Sequence, residues 1–201
     1  MPSVEQIVKA QYAKLFEQDD WTLFKETAEA LLREAAYIKT PDMSFVPNRK
    51  LLARNSRKRL LIGIGIELLL KAVYLKNGYS INKRQQDKST KGFPFTIEHA
   101  RSIEMDLSDS YTLTALVDKV ADVITFKDEH VASKGLRIAK VFRNKEGHLV
   151  TRTHDFDAGN YRDIETSLVL VYEQAFAERL EVRFSIQEGE EARWNVSAVA
   201  S

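Results

Sequence analysis

Leu60-Leu61-Ile62-Gly63-Ile64-Gly65-Ile66-Glu67-Leu68-Leu69-Leu70-Lys71-Ala72-Val73-Tyr74-Leu75 is apolar almost all round, and how this run is read decides the fold. A helix that spans a bilayer needs around 20 consecutive apolar residues. This run is shorter and carries Glu67 and Lys71 one turn apart, where a carboxylate and an ammonium can pair. It is therefore read as the buried central helix of a bundle, from about Asn48 to Asn77, with Asn77-Gly78 as its stop. Gly63 and Gly65 follow no strand and precede no third glycine, so they are read as points of close helix packing rather than as a phosphate cradle. Glu67 has a second reading, as a polar group facing a functional motif across the bundle.

Working back from this helix, Val4, Ile7, Val8, Tyr12, Leu15 and Phe16 recur at spacings of three and four, which predicts a helix from about Val4 to Glu17. Asp20 caps a second one with Trp21, Phe24, Ala28, Leu31, Leu32 and Ala35 on one face. The two are expected to form a helical hairpin over residues 4–38, packed on the bundle. Pro41 and Pro47 frame an irregular connection. Between it and the apolar run, Arg49, Lys50, Arg54, Arg57, Lys58 and Arg59 make the densest basic cluster in the chain. A solvated helical face explains it; so does a phosphate-binding stripe, with Arg54, Arg57, Lys58 and Arg59 as the RNA-binding candidates.

Working forward, the polar stretch from Ser80 to Lys91 reads as a loop. Thr96 caps a short helix carrying Ile97, Ala100 and Ile103, and Ser108 or Ser110 caps another that continues through Leu113, Leu116, Val117, Val120 and Ile124. The last helix is expected from about Asn160 to Leu180, with Tyr161, Ile164, Leu168, Val171, Tyr172, Ala175 and Phe176 inward. Beyond it, Val182–Ile186 and Arg193–Val196 alternate around Glu188-Gly189-Glu190 as a small hairpin. The expected class is all-α or mainly α: one bundle domain over 1–180 and a short β appendage over 181–201.

With 201 residues, 44% of them apolar and 29% charged, the chain has an ordinary composition that can bury a real core. Thirty basic against twenty-nine acidic side chains leave a formal net charge of +1, so no global field draws it onto nucleic acid or an anionic membrane, and any RNA contact must be local. There is no cysteine, hence no disulfide framework, thiolate metal site or thiol nucleophile. The first residues, Met1-Pro2-Ser3-Val4-Glu5, do not form a basic segment followed by an apolar run. A cytoplasmic protein without membrane attachment is expected.

One short segment brings a fixed cation, an amide and an imidazole together: Arg143-Asn144-Lys145-Glu146-Gly147-His148. A guanidinium holds phosphate with a rigid fork of donors, an imidazole moves a proton near neutral pH, and an amide can orient what lies between them. The pattern of Arg followed after four to six residues by His, with Asn directly after the Arg, resembles the signature of the HEPN family, helical domains that include many metal-independent RNA-cutting enzymes. Glu67-Leu68-Leu69-Leu70-Lys71-Ala72, then Asn77-Gly78, then His99 opening a short helix, is similar to the middle of many such proteins. The resemblance spans roughly Asn48 to Leu180.

It implies that Arg143, Asn144 and His148 are catalytic and that no metal or other cofactor is needed; Glu67, by its buried setting, is the candidate supporting polar residue. The resemblance also implies a homodimer with two motifs face to face, and a ribonuclease of toxin or phage-defence type with an antitoxin or other operon-encoded partner. The alternative is a non-catalytic helical module for RNA binding or protein interaction. The family sets its Arg at the end of one helix and its His near the start of the next. Here Leu136, Ile138 and Val141-Phe142, with Val150, Thr151 and Thr153 beyond Gly147, fit equally a second β-hairpin over 136–153. His148, His154, Asp155 and Asp157 also have metal-ligating side chains, but His-x5-His does not place both rings on one helical face, and Asp155 and Asp157 are better read as turn and cap residues.

Overall fold

The computed structural model describes residues 2–16, 20–39, 49–84, 91–103, 105–146, 158–185 and 191–199. Among them the chain is mainly helical with two small antiparallel sheets. The elements run α1 (Val4–Phe16), α2 (Trp21–Tyr37), α3 (Arg49–Lys76), β1 (Asn82–Arg84), α4 (Ile97–Ser102), β2 (Met105–Ser110), α5 (Leu113–Lys119), a short 3-10 turn (Val120–Asp122), α6 (Glu129–Glu146), α7 (Ala158–Phe176), β3 (Glu178–Val182) and β4 (Trp194–Ala198). Among the described residues no helix is long and apolar enough to cross a membrane.

The central run lies inside the bundle, where Ile62, Ile66, Leu69, Leu70, Ala72, Val73 and Tyr74 have no solvent-accessible surface. Each of the isoleucine, leucine and valine side chains among them contributes roughly 1.5–3 kcal/mol by leaving water, and together these buried residues make α3 the strut around which the rest packs. α3 lies mainly against α2 and α6, with smaller contacts to α5 and α7. Its end is set as the sequence indicates: Gly78 takes a positive φ of 77°, and the Tyr79 N–H reaches back to the Tyr74 carbonyl at 2.9 Å. Asp20 caps α2, accepting from the Thr22 N–H at 3.0 Å, and Thr96 caps α4, accepting from the His99 N–H at 3.2 Å.

Several expectations are corrected. Helix α1 packs against β2 rather than along α2, so the two N-terminal helices do not close as a hairpin. Part of the expected 80–91 loop is strand, because Asn82, Lys83 and Arg84 pair with Ser110, Asp106 and Met105 across a bulge. Ser108 and Ser110 thus lie in β2, and the cap position of α5 falls to Thr112. Residues 136–146, whose β-branched members suggested a hairpin, are helical. The spacing that prevails is Ala132, Gly135, Leu136, Ala139 and Phe142, all buried against the bundle, because a three-and-four repeat aligns one apolar face only in a helix. The expected second arm, 148–153, lies outside the described residues.

Helix α7 stops four residues early. Ala177, at φ 53°, turns the chain into β3, which pairs with β4 from Glu178 opposite Ala198 to Val182 opposite Trp194. The segment after β3 is fastened to the bundle through two adjacent peptide groups. Lys58 on α3, fully buried, donates to the Phe184 carbonyl, while Glu165 on α7 accepts from the Ser185 N–H at 3.1 Å and from the Phe184 N–H.

Burial pushes the Glu165 carboxyl above the usual carboxylate range, against the opposing pull of these N–H groups and of Arg183. The folded protein therefore holds this proton more tightly than the unfolded chain. The stability it contributes is fully present below the ordinary glutamate pKa and is lost as pH rises through the elevated folded one. Glu165→Gln keeps an acceptor oxygen but cannot ionise. Urea unfolding should show the variant gaining stability relative to wild type between acid and neutral pH; a gap that stays constant with pH would show that Glu165 does not titrate across that window.

Candidate functional site

Arg59, Gly63, Glu67 and Lys71 stand four residues apart on α3 and so form a single stripe along it. The last turn of α6 is seated on that stripe. A Cβ built on Gly63 would lie 2.8 Å from the Arg143 Cβ and 2.9 Å from the Arg143 Cα and N, a separation that only glycine permits. This backbone contact brings the α6 side chains within reach of their partners on α3. Arg143 Nε donates to Glu67 Oε2 at 3.2 Å, and Lys71 Nζ donates to Glu67 Oε1 at 3.1 Å. Glu67 thus fills both readings made from the sequence, pairing with the lysine one turn on and facing the motif.

Three residues further along α6, Glu146 takes the opposite role. Its Oε1 accepts from Arg59 Nε at 2.6 Å and its Oε2 from Ser56 Oγ at 2.5 Å, with the Arg59 and Glu146 side chains each only 2% exposed. On the side facing α5, Asn144 Nδ2 donates to Thr114 Oγ1 at 3.1 Å and Lys140 Nζ pairs with Asp118 at 2.9 Å. The end of α6 is therefore braced by both α3 and α5.

Arg143 differs from its neighbours in how much of it is left over. Its side chain is 39% exposed, against 16% for Glu67 and 8% for Lys71. Only Nε is engaged, and the terminal amino groups make no hydrogen bond or ion pair among the described residues. One carboxylate shared by two cations leaves local positive charge beside an open guanidinium edge, an arrangement suited to an anion with two oxygens to offer.

The other sequence candidates are placed as follows. His148 lies outside the described residues, as do His154, Asp155 and Asp157. Of the basic cluster, Arg54 is exposed and donates to the Lys39 carbonyl, and Arg57 is exposed and pairs with Glu34. Lys58 and Arg59 are buried, the first on the Ile38 and Phe184 carbonyls with the Tyr161 ring 5.2 Å away, the second on Glu146. Consecutive helical residues are turned by about 100° from one another, so a contiguous basic run cannot all face one way. Here that rotation sends Lys58 and Arg59 to the core side, where they cannot line a surface phosphate track. His99, beside the Phe95 ring at 5.6 Å, and His130 are exposed. No group of three or more His, Asp or Glu among the described residues is disposed to hold a metal.

Sequence reasoning passed over Glu146, Ser56 and Thr114. The first had a legible signal in the repeat Arg59-x3-Gly63-x3-Glu67-x3-Lys71, which lays a cation, a gap and a carboxylate along one face ready for a neighbouring helix of complementary charge. Thr114 had none, since a threonine in the first turn of a helix fits many settings.

Gly63→Ala tests the seat. The added methyl must displace α6 backbone rather than a flexible side chain, so it should cost about 1–3 kcal/mol and raise amide exchange over residues 140–146. Unchanged stability and exchange would show that α6 does not rest there. In a double-mutant cycle, Glu67→Ala with Arg143→Ala should give a coupling of only about 0.2–1 kcal/mol, because the arginine is partly solvated.

Set against known proteins, the chain matches no protein-family model, no curated protein and no solved structure.

Proposed function

We propose that the protein is a metal-independent endoribonuclease of toxin or phage-defence type, acting through Arg143, Asn144 and His148. The observation that carries this reading is the open edge of Arg143: a guanidinium fixed through Nε by Glu67, partly exposed, with its terminal donors unused among the described residues. It stands next to Asn144 in the last turn of a helix, where the HEPN-type pattern sets its arginine, and the chain continues directly into Gly147-His148.

In this mechanism the terminal amino groups of Arg143 hold two non-bridging oxygens of an RNA phosphate. The ribose 2′-oxygen attacks the adjacent phosphorus, the bond from phosphorus to the 5′-oxygen breaks, and the products are a 2′,3′-cyclic phosphate and a 5′-hydroxyl. His148 takes the 2′ proton or gives one to the leaving oxygen. Arg143 stabilises the charge that gathers on the phosphoryl oxygens in the transition state. Glu67 keeps the guanidinium from swinging away, and Lys71 offsets the negative charge of Glu67. Asn144, held by Thr114, orients the phosphate or the imidazole. Two copies in a homodimer bring their motifs to one cleft, and an operon-encoded antitoxin would control access to it.

A second reading is a non-catalytic module for RNA binding or protein interaction, and one observation favours its protein-interaction form. With Lys58 and Arg59 buried, only Arg54 and Arg57 of the candidate track remain at the surface, and both already have acceptors. Strong RNA affinity from the phosphate backbone needs several unengaged cations.

Cleavage separates the two. Purified protein should cut single-stranded RNA in the presence of a chelator and leave cyclic phosphate ends. His148→Ala and Arg143→Ala should each lower the rate by about 10²–10⁴, whereas exposed Lys145→Ala should keep most of it. Cutting that survives in both motif variants, or binding with no cutting at all, would leave the module reading in its place. The active species should be a dimer by light scattering at micromolar concentration, and a monomer that still cuts would remove the shared cleft.

A further inference from the structure

Strand β4 is the outer strand of the C-terminal hairpin. β3 lies on one side of it, α7 and α2 pack on β3, and among the described residues no strand lies on its other side. Which backbone groups face that open edge follows from the register. The Val199 N–H donates to the Ala177 carbonyl at 3.0 Å, one step beyond the pair of Glu178 with Ala198, so Val199 turns its backbone groups toward β3. In an antiparallel pair successive residues alternate between facing the partner strand and facing away from it. Ser197 and Asn195 therefore bond to β3. Trp194, Val196 and Ala198 hold their N–H and C=O groups outward, with no hydrogen bond from these groups among the described residues.

An open edge is a template for another strand, and proteins ordinarily blunt it with charged side chains or proline. Strands β1, β2 and β3 each carry charged side chains, whereas β4, Trp194-Asn195-Val196-Ser197-Ala198, has neither charge nor proline. Its outward set is also symmetric about Val196. A two-fold axis at that residue, perpendicular to the sheet, sets Val196 of one copy opposite Val196 of the other and Trp194 opposite Ala198. Every outward N–H in the strand then meets an outward C=O. Charge favours a second copy as the occupant, because a two-fold contact brings the side chains at its centre against their own kind and repels wherever these are ionised. Here none is. The side chains fit as well: the bulk of Trp194 falls beside the small Ala198, and on the other face the exposed Asn195 and Ser197 stand opposite one another, an amide and a hydroxyl able to bond.

We propose that the open edge of β4 is a self-association surface, on which two copies of the chain pair antiparallel about Val196 and join their hairpins into one sheet of order β3-β4-β4-β3. This does not rest on the ribonuclease reading, and its contact residues are other than those of the Arg143 turn.

The test uses the full chain, which has no cysteine of its own. In this register Asn195 of one copy and Ser197 of the other have Cα atoms about 4.5 Å apart, within disulfide reach. The two Asn195 residues are diagonal neighbours about 7–8 Å apart, beyond that reach, and so are the two Ser197 residues. Asn195→Cys and Ser197→Cys proteins are mixed in equal amounts at roughly 100 µM, where a contact of this size can be populated, and oxidised mildly. Mass spectrometry should find mainly the mixed disulfide dimer, and each protein alone should stay largely uncross-linked. Random proportions of mixed and like dimers, or no cross-linking, overturn the proposal.

Ala198→Pro supplies a second measurement. The ring replaces an outward N–H, which leaves the bonds to β3 in place but obstructs a second copy. Light scattering of wild type should show the mass rising with concentration toward twice the 23.0 kDa of one chain, and the variant should keep the single-chain mass with an unchanged circular dichroism spectrum. Wild-type association that Ala198→Pro leaves intact overturns the proposal. So does a wild type that stays single, which would leave the edge to a strand of a different protein. Should Ala198→Pro fail to fold, the mixed disulfide decides alone, since it needs changes only at exposed positions. RNA cutting is read in neither measurement, so failure of the ribonuclease reading leaves this surface standing, and failure here leaves that reading untouched.

Discussion

The contact between the α3 backbone at Gly63 and the α6 backbone at Arg143 is the constraint on which the rest of the arrangement depends. Helices carrying ordinary side chains at their crossing keep their axes 8–10 Å apart, and the missing Cβ lets this pair come closer. Gly65 does the same on the other flank, where a Cβ would meet the Leu32 side chain at 2.8 Å. Residues two apart on a helix are turned by about 200°, so these glycines face nearly opposite directions. One seats α6 and the other α2, and α3 is held between them with Ile62, Ile66 and Leu69 filling the core. Gly135 repeats the device between α6 and α7, approaching the Asp163 carbonyl and the Ser167 hydroxyl.

Once the backbones are this close, charge settles what the last turn of α6 presents. Glu67 is shared by Lys71 and Arg143, so positive charge is left over at the partly exposed end of the stripe. Glu146 and Arg59 neutralise one another at the buried end. The same turn thus carries an accessible cation and an internal anchor, two jobs that require opposite environments. A solvated pair would be too loose to anchor, and a buried guanidinium would be out of reach of an anion.

Buried charge serves a related end at the C-terminal side. Lys58 and Glu165 grip the two polar groups of the Phe184–Ser185 peptide from α3 and α7, which gives irregular backbone the partners that a strand or helix would have supplied. The hairpin of β3 and β4 is thereby joined to the helix that also carries Arg59 and Glu67. The basic cluster of α3 is divided between surface contacts at Arg54 and Arg57 and internal fastenings at Lys58 and Arg59.

Periodicity in the sequence by itself determined the helical class, the buried α3, the caps at Asp20 and Thr96, the stop at Gly78, the packing role of the paired glycines and the existence of a small C-terminal hairpin. These follow from local rules, in which spacing, capping chemistry and backbone freedom act within a turn or two. The adjacency of Arg143 and Asn144 was equally plain. Whether they sat on helix or strand was not, because β-branched residues around Ile138 and Val141 competed with a three-and-four repeat that gains only when another helix is there to bury it. Tertiary structure also decided that α1 leaves α2 for β2, that Lys58 and Arg59 face inward, and that Glu67 serves two cations. Each of these turns on which surfaces meet. A lysine or arginine reads the same in sequence whether its charge ends in water or on a buried carbonyl or carboxylate, and only the fold supplies the partner that makes burial affordable.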